Sequence, residues 1–184
     1  MHTVERQRDQ LMMVGIADFP PPALDWLDGD LSSLGPLPPR FALLLPGASP
    51  HRPGKRWPLT HFAALGRALP FPAIICGGPA EALLGAELEA CGLINLVGRT
   101  SLAQLAALAR RAAFTLGNDS GPTHLAAVAG CPTWALFGAE SEPFRCAPRG
   151  PAAHWLRHIP LSELTPEAVL QSLGESVACG STHS

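Results

Sequence analysis

Charge is scarce in this sequence and nearly balanced. Thirteen Lys and Arg stand against 15 Asp and Glu in 184 residues, a formal net charge of −2 with a pI near 6.4. No basic excess exists to hold nucleic acid or an anionic membrane. Long apolar runs are missing too, and the opening Met1-His2-Thr3-Val4-Glu5-Arg6 is too polar for a signal peptide, which predicts a soluble chain. The five cysteines (76, 91, 131, 146 and 179) are odd in number and show no C-x-x-C spacing. That excludes a zinc site or disulfide framework and points to the reducing cytoplasm. No strand-like run is followed by G-x-G-x-x-G, which argues against a nicotinamide or flavin site. Six residues separate Gly47 from Gly54, and no Ser or Thr follows Lys55, so a Walker A loop is excluded. Ser120 sits one position too late for a Gly-x-Ser-x-Gly nucleophile elbow, which excludes that hydrolase class.

What is present is a regular alternation. Hydrophobic residues make up 47% of the chain and mean hydropathy is +0.17, enough for one well-cored domain. The 20 Pro and 18 Gly are spread between apolar runs and punctuate many short connections. A polar helix over Thr3 to Val14, with Thr3 as its cap, is followed by an extended Pro-rich connector from Phe19 to Pro39 bearing Asp25, Asp28 and Asp30. This places a connecting helix and linker at residues 1–39, a compact domain at 40–178 and a tail at 179–184. Five strands are expected at Phe41–Leu45, Pro72–Cys76, Ile94–Val97, Ala112–Leu116 and Pro132–Phe137. Helices are expected at Thr60–Leu69, Pro79–Cys91, Ser101–Arg111 and Ser120–Ala129. In the third of these Leu102, Leu105, Ala106, Leu108 and Ala109 mark one apolar face. After Gly138 the pattern weakens until Thr165-Pro166-Glu167 opens a last helix. Apolar strands alternating with amphipathic helices predict an α/β fold: a Rossmann-like parallel sheet with helices on both faces. Right-handed crossovers then collect the strand-to-helix turns on one edge.

Four of those turns carry candidate chemistry. The turn Gly117-Asn118-Asp119-Ser120-Gly121-Pro122-Thr123-His124 reads as strand, tight turn and helix start. Unpaired N–H groups and the positive helix end there suit an anion, with Ser120 as cap, Pro122 in the first turn, and Asp119 and His124 on the rim. The first strand leads into Leu45-Pro46-Gly47-Ala48-Ser49, then Arg52, Lys55 and Arg56, small residues and cations that suit a phosphate. Gly77-Gly78-Pro79-Ala80-Glu81 allows a tight turn; Glu81 either complements the helix dipole or accepts from ribose hydroxyls. Gly98-Arg99-Thr100-Ser101 offers Ser101 as a cap beside groups that can read a base edge.

Taken together and in this order, these four motifs resemble the C-terminal half of glycosyltransferase family 9, the ADP-heptose:lipopolysaccharide heptosyltransferase group. The resemblance covers about residues 40 to 140, and the Glu5-Arg6-Gln7-Arg8 helix is similar to the stretch joining the family's two halves. It implies the C-terminal domain of a GT-B fold, and inverting, metal-independent sugar transfer to a lipopolysaccharide core acceptor at the inner membrane face. The substrate is a nucleotide-sugar such as ADP-heptose, with no cofactor. Ser49 and Lys55 would hold the diphosphate, Glu81 the ribose and Thr100 the adenine, while Asp119, Ser120, Gly121 and His124 cradle phosphates and sugar. The family's acceptor-binding domain and its general base have no counterpart here, so no catalytic residue is assigned. Two readings follow: the donor-binding part of a glycosyltransferase, or a non-catalytic nucleotide-binding module. In either, another domain, a partner chain or a second copy would cover the interdomain face.

Overall fold

The computed structural model describes residues 1–20 and 22–174. The expected tail and Cys179 lie outside the described residues. Six strands form one all-parallel sheet: β1 (Ala42–Leu45), β2 (Ala73–Ile75), β3 (Ile94–Asn95), β4 (Phe114–Asn118), β5 (Thr133–Phe137) and β6 (Ala153–Arg157), in the order β3-β2-β1-β4-β5-β6. The helices are α1 (Thr3–Met12), α2 (Leu59–Ala68), α3 (Ala82–Ala90), α4 (Leu102–Arg111), α5 (Gly121–Val128), α6 (Pro143–Cys146) and α7 (Pro166–Leu173). Strand residues alternate between two cores because their side chains have a period of two. Ala42, Leu44, Ile75, Phe114 and Leu116 join Phe62, Leu65 and Val169 on one face. Leu43, Leu45, Ile74 and Cys76 join Leu105, Leu108 and Ala126 on the other. A parallel sheet wrapped this way explains the near-continuous apolar strands.

Several expectations need correction. A sixth strand, Ala153–Arg157, lies at the sheet edge, where exposure on both faces leaves no apolar run. β3 stops at Asn95, whose side-chain oxygen takes the Val97 N–H at 3.0 Å and turns the chain. β4 runs on through Gly117 and Asn118, leaving only Asp119 and Ser120 before α5. His2, not Thr3, caps α1, and Glu5 completes the reciprocal box. On α4, Leu102 is exposed and Ala107 takes its place in the core. The connector is not simply extended. Asp30 accepts from Ser32 to set a 3-10 turn at Ser32–Leu34, and Leu34 is buried. Gly29 lies so close to α4 that a Cβ there would sit 2.4 Å from the Ala103 carbonyl carbon. The Ser101 and Thr165 caps form as expected, each accepting a backbone N–H three residues on.

Candidate nucleotide-sugar site

The strand order reverses direction between β1 and β4, and ligands in such sheets bind outside the strand ends at that switch. Both key turns leave from there. Asn118, fully buried at the end of β4, fastens them together: its side-chain N–H donates to the Pro46 carbonyl at 2.7 Å, and its oxygen accepts the Trp57 N–H at 3.0 Å. Trp57, also buried, donates its indole N–H to the Leu164 carbonyl at 2.7 Å. The Arg56 guanidinium holds the Ala48 carbonyl at 2.6 Å. Across the site, Glu140 accepts the Gly54 N–H at 2.8 Å, and Gly138 packs so tightly that a Cβ there would lie 2.0 Å from the Gly54 carbonyl oxygen. Gly117 is equally confined, with Thr123 Oγ1 2.4 Å from where its Cβ would stand.

These braces bring Lys55 to Asp119, Nζ to Oδ2 at 2.5 Å, with side chains only 13% and 6% exposed. The other carboxylate oxygen lies 3.4 Å from His124 Nε2. Burial pushes the Asp119 carboxyl up, but hydrogen bonds from His124 and Lys55, together with the lysine charge, outweigh it and leave the group below its ordinary value. A depressed carboxyl stabilises the fold fully above its unfolded value, near pH ~4, and loses that contribution as pH falls through the folded value. Urea unfolding across pH 7 to 2 should therefore show Asp119→Asn losing less stability below about pH 4 than the parent.

Two cavities share the wall Asp119-Ser120-Gly121. The smaller, about 360 Å³, is lined among others by Gly47, Ala48, Ser49, Gly77 and Glu81. Glu81 accepts the Gly78 N–H at 2.8 Å, so it caps its own helical turn while facing the cavity. The larger, about 630 Å³, adds Lys55, His124, Arg52, Arg145, Arg157 and Cys146. Two sequence candidates line neither cavity: Arg56, whose guanidinium is taken by the Ala48 carbonyl, and Thr100, whose hydroxyl meets the Cys76 thiol, which burial pushes up to about 12. Ser120 begins α5 without the expected side-chain cap, since its hydroxyl pairs with Thr123 Oγ1 at 3.2 Å. Sequence reasoning missed the clamp made by Asn118 and the wall supplied by α6 and β6. Glu142-Pro143, a helix-start signal in the loop after β5, marked the α6 part of the second.

Residues 22–169 match glycosyltransferase family 9 (heptosyltransferase). The chain belongs to glycosyltransferase family 9. This family 9 chain is 29% identical to lipooligosaccharide heptosyltransferase 2 of Haemophilus influenzae in a 163-residue alignment covering 72% of the chain and 46% of the relative. It superposes on the Escherichia coli ADP-heptose lipopolysaccharide heptosyltransferase II with a TM-score of 0.72 at 28% identity, over 80% of this chain and 50% of that one. The E. coli heptosyltransferase WaaC, solved with ADP, gives 0.72 at 26% identity over 96% and 57%. The family 9 chain thus spans about half the length of the relatives it matches, and its parallel α/β sheet matches heptosyltransferases of GT-B fold over that half. No helix among its described residues is long and apolar enough to cross a membrane.

Proposed function

We propose that this chain binds the nucleotide-sugar donor of a heptosyltransferase-type reaction, in which a sugar passes from a nucleoside diphosphate to a lipopolysaccharide core acceptor. The observation that carries this reading is the Lys55–Asp119 pair at the β1/β4 switch, facing the start of α5. A cation, free helix N–H groups and a hydroxyl meet there, a combination that favours a diphosphate. WaaC, similar over 96% of this chain, was solved with ADP, which supports carrying the nucleotide over. Ser49 and Lys55 take the diphosphate, Glu81 the ribose and Thr100 the adenine side. Asp119, Ser120, Gly121 and His124 surround the phosphates and the sugar. Developing charge on the leaving diphosphate is stabilised by Lys55 and the α5 N–H groups, positioned before the reaction begins.

The general base is a different matter. Every carboxylate lining the two cavities is engaged: Asp119 by Lys55, Glu142 by Arg157, Glu81 by Gly78 N–H and Glu140 by Gly54 N–H. That favours a chain that holds and orients the donor while the base for the acceptor hydroxyl comes from another domain or partner. Calorimetry with ADP tests the binding half of the reading, and saturable heat is expected. A radiolabelled ADP-sugar assay, with and without an added acceptor-binding domain of a family member, tests the other half. Turnover is expected only in the mixture. Failure of the chain to bind any nucleotide sinks the reading; turnover by the chain alone overturns the assignment of the base elsewhere.

A further inference from the structure

The larger cavity is lined by four cations, Arg52, Lys55, Arg145 and Arg157, and by three carboxylates, Asp119, Glu140 and Glu142. Its Lys55 is matched by Asp119 and its Arg157 by Glu142, at 2.5 and 3.0 Å. Glu140 is turned to the Gly54 N–H. Arg52 and Arg145 line the same cavity, and among the described residues neither side chain has a hydrogen bond or an ion pair. Neither lines the smaller cavity. An arginine presents a planar fork of donors that fits a phosphate or carboxylate two bonds at a time. Two such forks on one concave wall, both exposed and neither drawn into an ion pair although Glu140 lines the same cavity, describe a site for an anion that arrives with a ligand.

The donor does not supply that anion. On the function proposed above, its diphosphate lies at the shared wall beside Lys55 and α5, and its nucleoside lies in the smaller cavity beside Glu81. The sugar that projects into the larger cavity is neutral. The remaining reactant is the acceptor. We propose that Arg52 and Arg145 form an anion-binding wall that receives a phosphate or carboxylate carried by the sugar acceptor, fixing its hydroxyl toward the donor. Arg52 comes from the loop after β1 and Arg145 from α6, so the wall draws on elements from both sides of the switch point. The two arginines are specificity residues; they touch the acceptor and not the bond that breaks.

The inference rests on the donor reading, so its test begins with ADP-saturated protein. Inorganic phosphate and D-glucuronate, a simple sugar carboxylate, are titrated separately into the ADP-loaded full chain and followed by NMR chemical shifts. The same is done for Arg52→Ala, Arg145→Ala and the double variant, with ADP affinity measured alongside. The expected result is saturable binding of at least one probe, weakened at least about tenfold in the double variant, which loses its charge-assisted bonds, while ADP affinity changes less than about twofold. Whichever probe binds tells phosphate from carboxylate. Anion binding indifferent to both arginines overturns the proposal. So does a tenfold loss of ADP affinity, which would assign the pair to the donor diphosphate. If the parent chain itself fails to bind ADP, the donor reading falls first; intact ADP binding with no arginine-dependent anion site overturns this inference alone.

Discussion

Lys55→Ala is expected to weaken ADP binding about ten- to hundredfold, the roughly 1.5–3 kcal/mol of a charge-assisted hydrogen bond. Two effects act in the same direction. The variant removes the ammonium nearest the proposed diphosphate, and it leaves the Asp119 carboxylate, only 6% exposed, facing that diphosphate with His124 as its remaining side-chain neighbour within salt-bridge distance. Removing one partner of a buried pair also costs stability, about 3–5 kcal/mol at full burial and less here because Lys55 is reached by solvent. The double variant Lys55→Ala/Asp119→Ala should recover part of both losses, because the uncompensated carboxylate is gone. Calorimetry with ADP and urea unfolding on all variants measure the coupling. Equal ADP affinity for the parent and Lys55→Ala would remove the lysine from the site.

Trp57→Ala should cost about 3–5 kcal/mol of folding stability, the range for deleting a buried Trp or Phe side chain. For a domain of this size that corresponds to a fall in Tm of roughly 10 °C or more. Trp57 is 1% exposed and packs edge-on against Phe62 at 4.9 Å between ring centroids. Its loss also orphans the Leu164 carbonyl that accepts the indole N–H. Trp57→Phe keeps much of the ring packing but not that bond, so it should fall between parent and alanine variant. Thermal unfolding followed by circular dichroism separates the three. A Trp57→Ala variant as stable as the parent would mean that this side chain does not anchor the β1 loop to the core.

The alternation of buried strands and amphipathic helices was legible because a parallel sheet covered on both faces imposes it on every central strand. β6 was not: at the sheet edge none of its five residues is buried, and the neighbours His154 and Trp155, which point to opposite faces, both stand exposed, so neither an apolar run nor an alternation marks it. The turn at Asp119 could be read from its glycines, proline and titratable residues. The reach of Lys55 across 64 positions to meet it could not be measured from the chain, because that depends on the β1/β4 adjacency. Asn118 illustrates the remaining gap. In the sequence it is one polar residue inside a motif; its role as a clamp appears only once Pro46 and Trp57 are brought to either side of it. Ser120 shows the converse, a residue of the right type in the right place whose hydroxyl found Thr123 instead of a backbone N–H.

The confinement at Gly117 and Gly138 has a consequence for how such a protein is probed. Alanine scanning ordinarily learns by subtraction, yet at these two positions the same replacement adds a methyl where Thr123 Oγ1 and the Gly54 carbonyl already stand. The information there is in the omitted atoms. Mapping the rim of this sheet therefore calls for insertions of bulk as well as deletions, with the smallest residues treated as the most demanding ones.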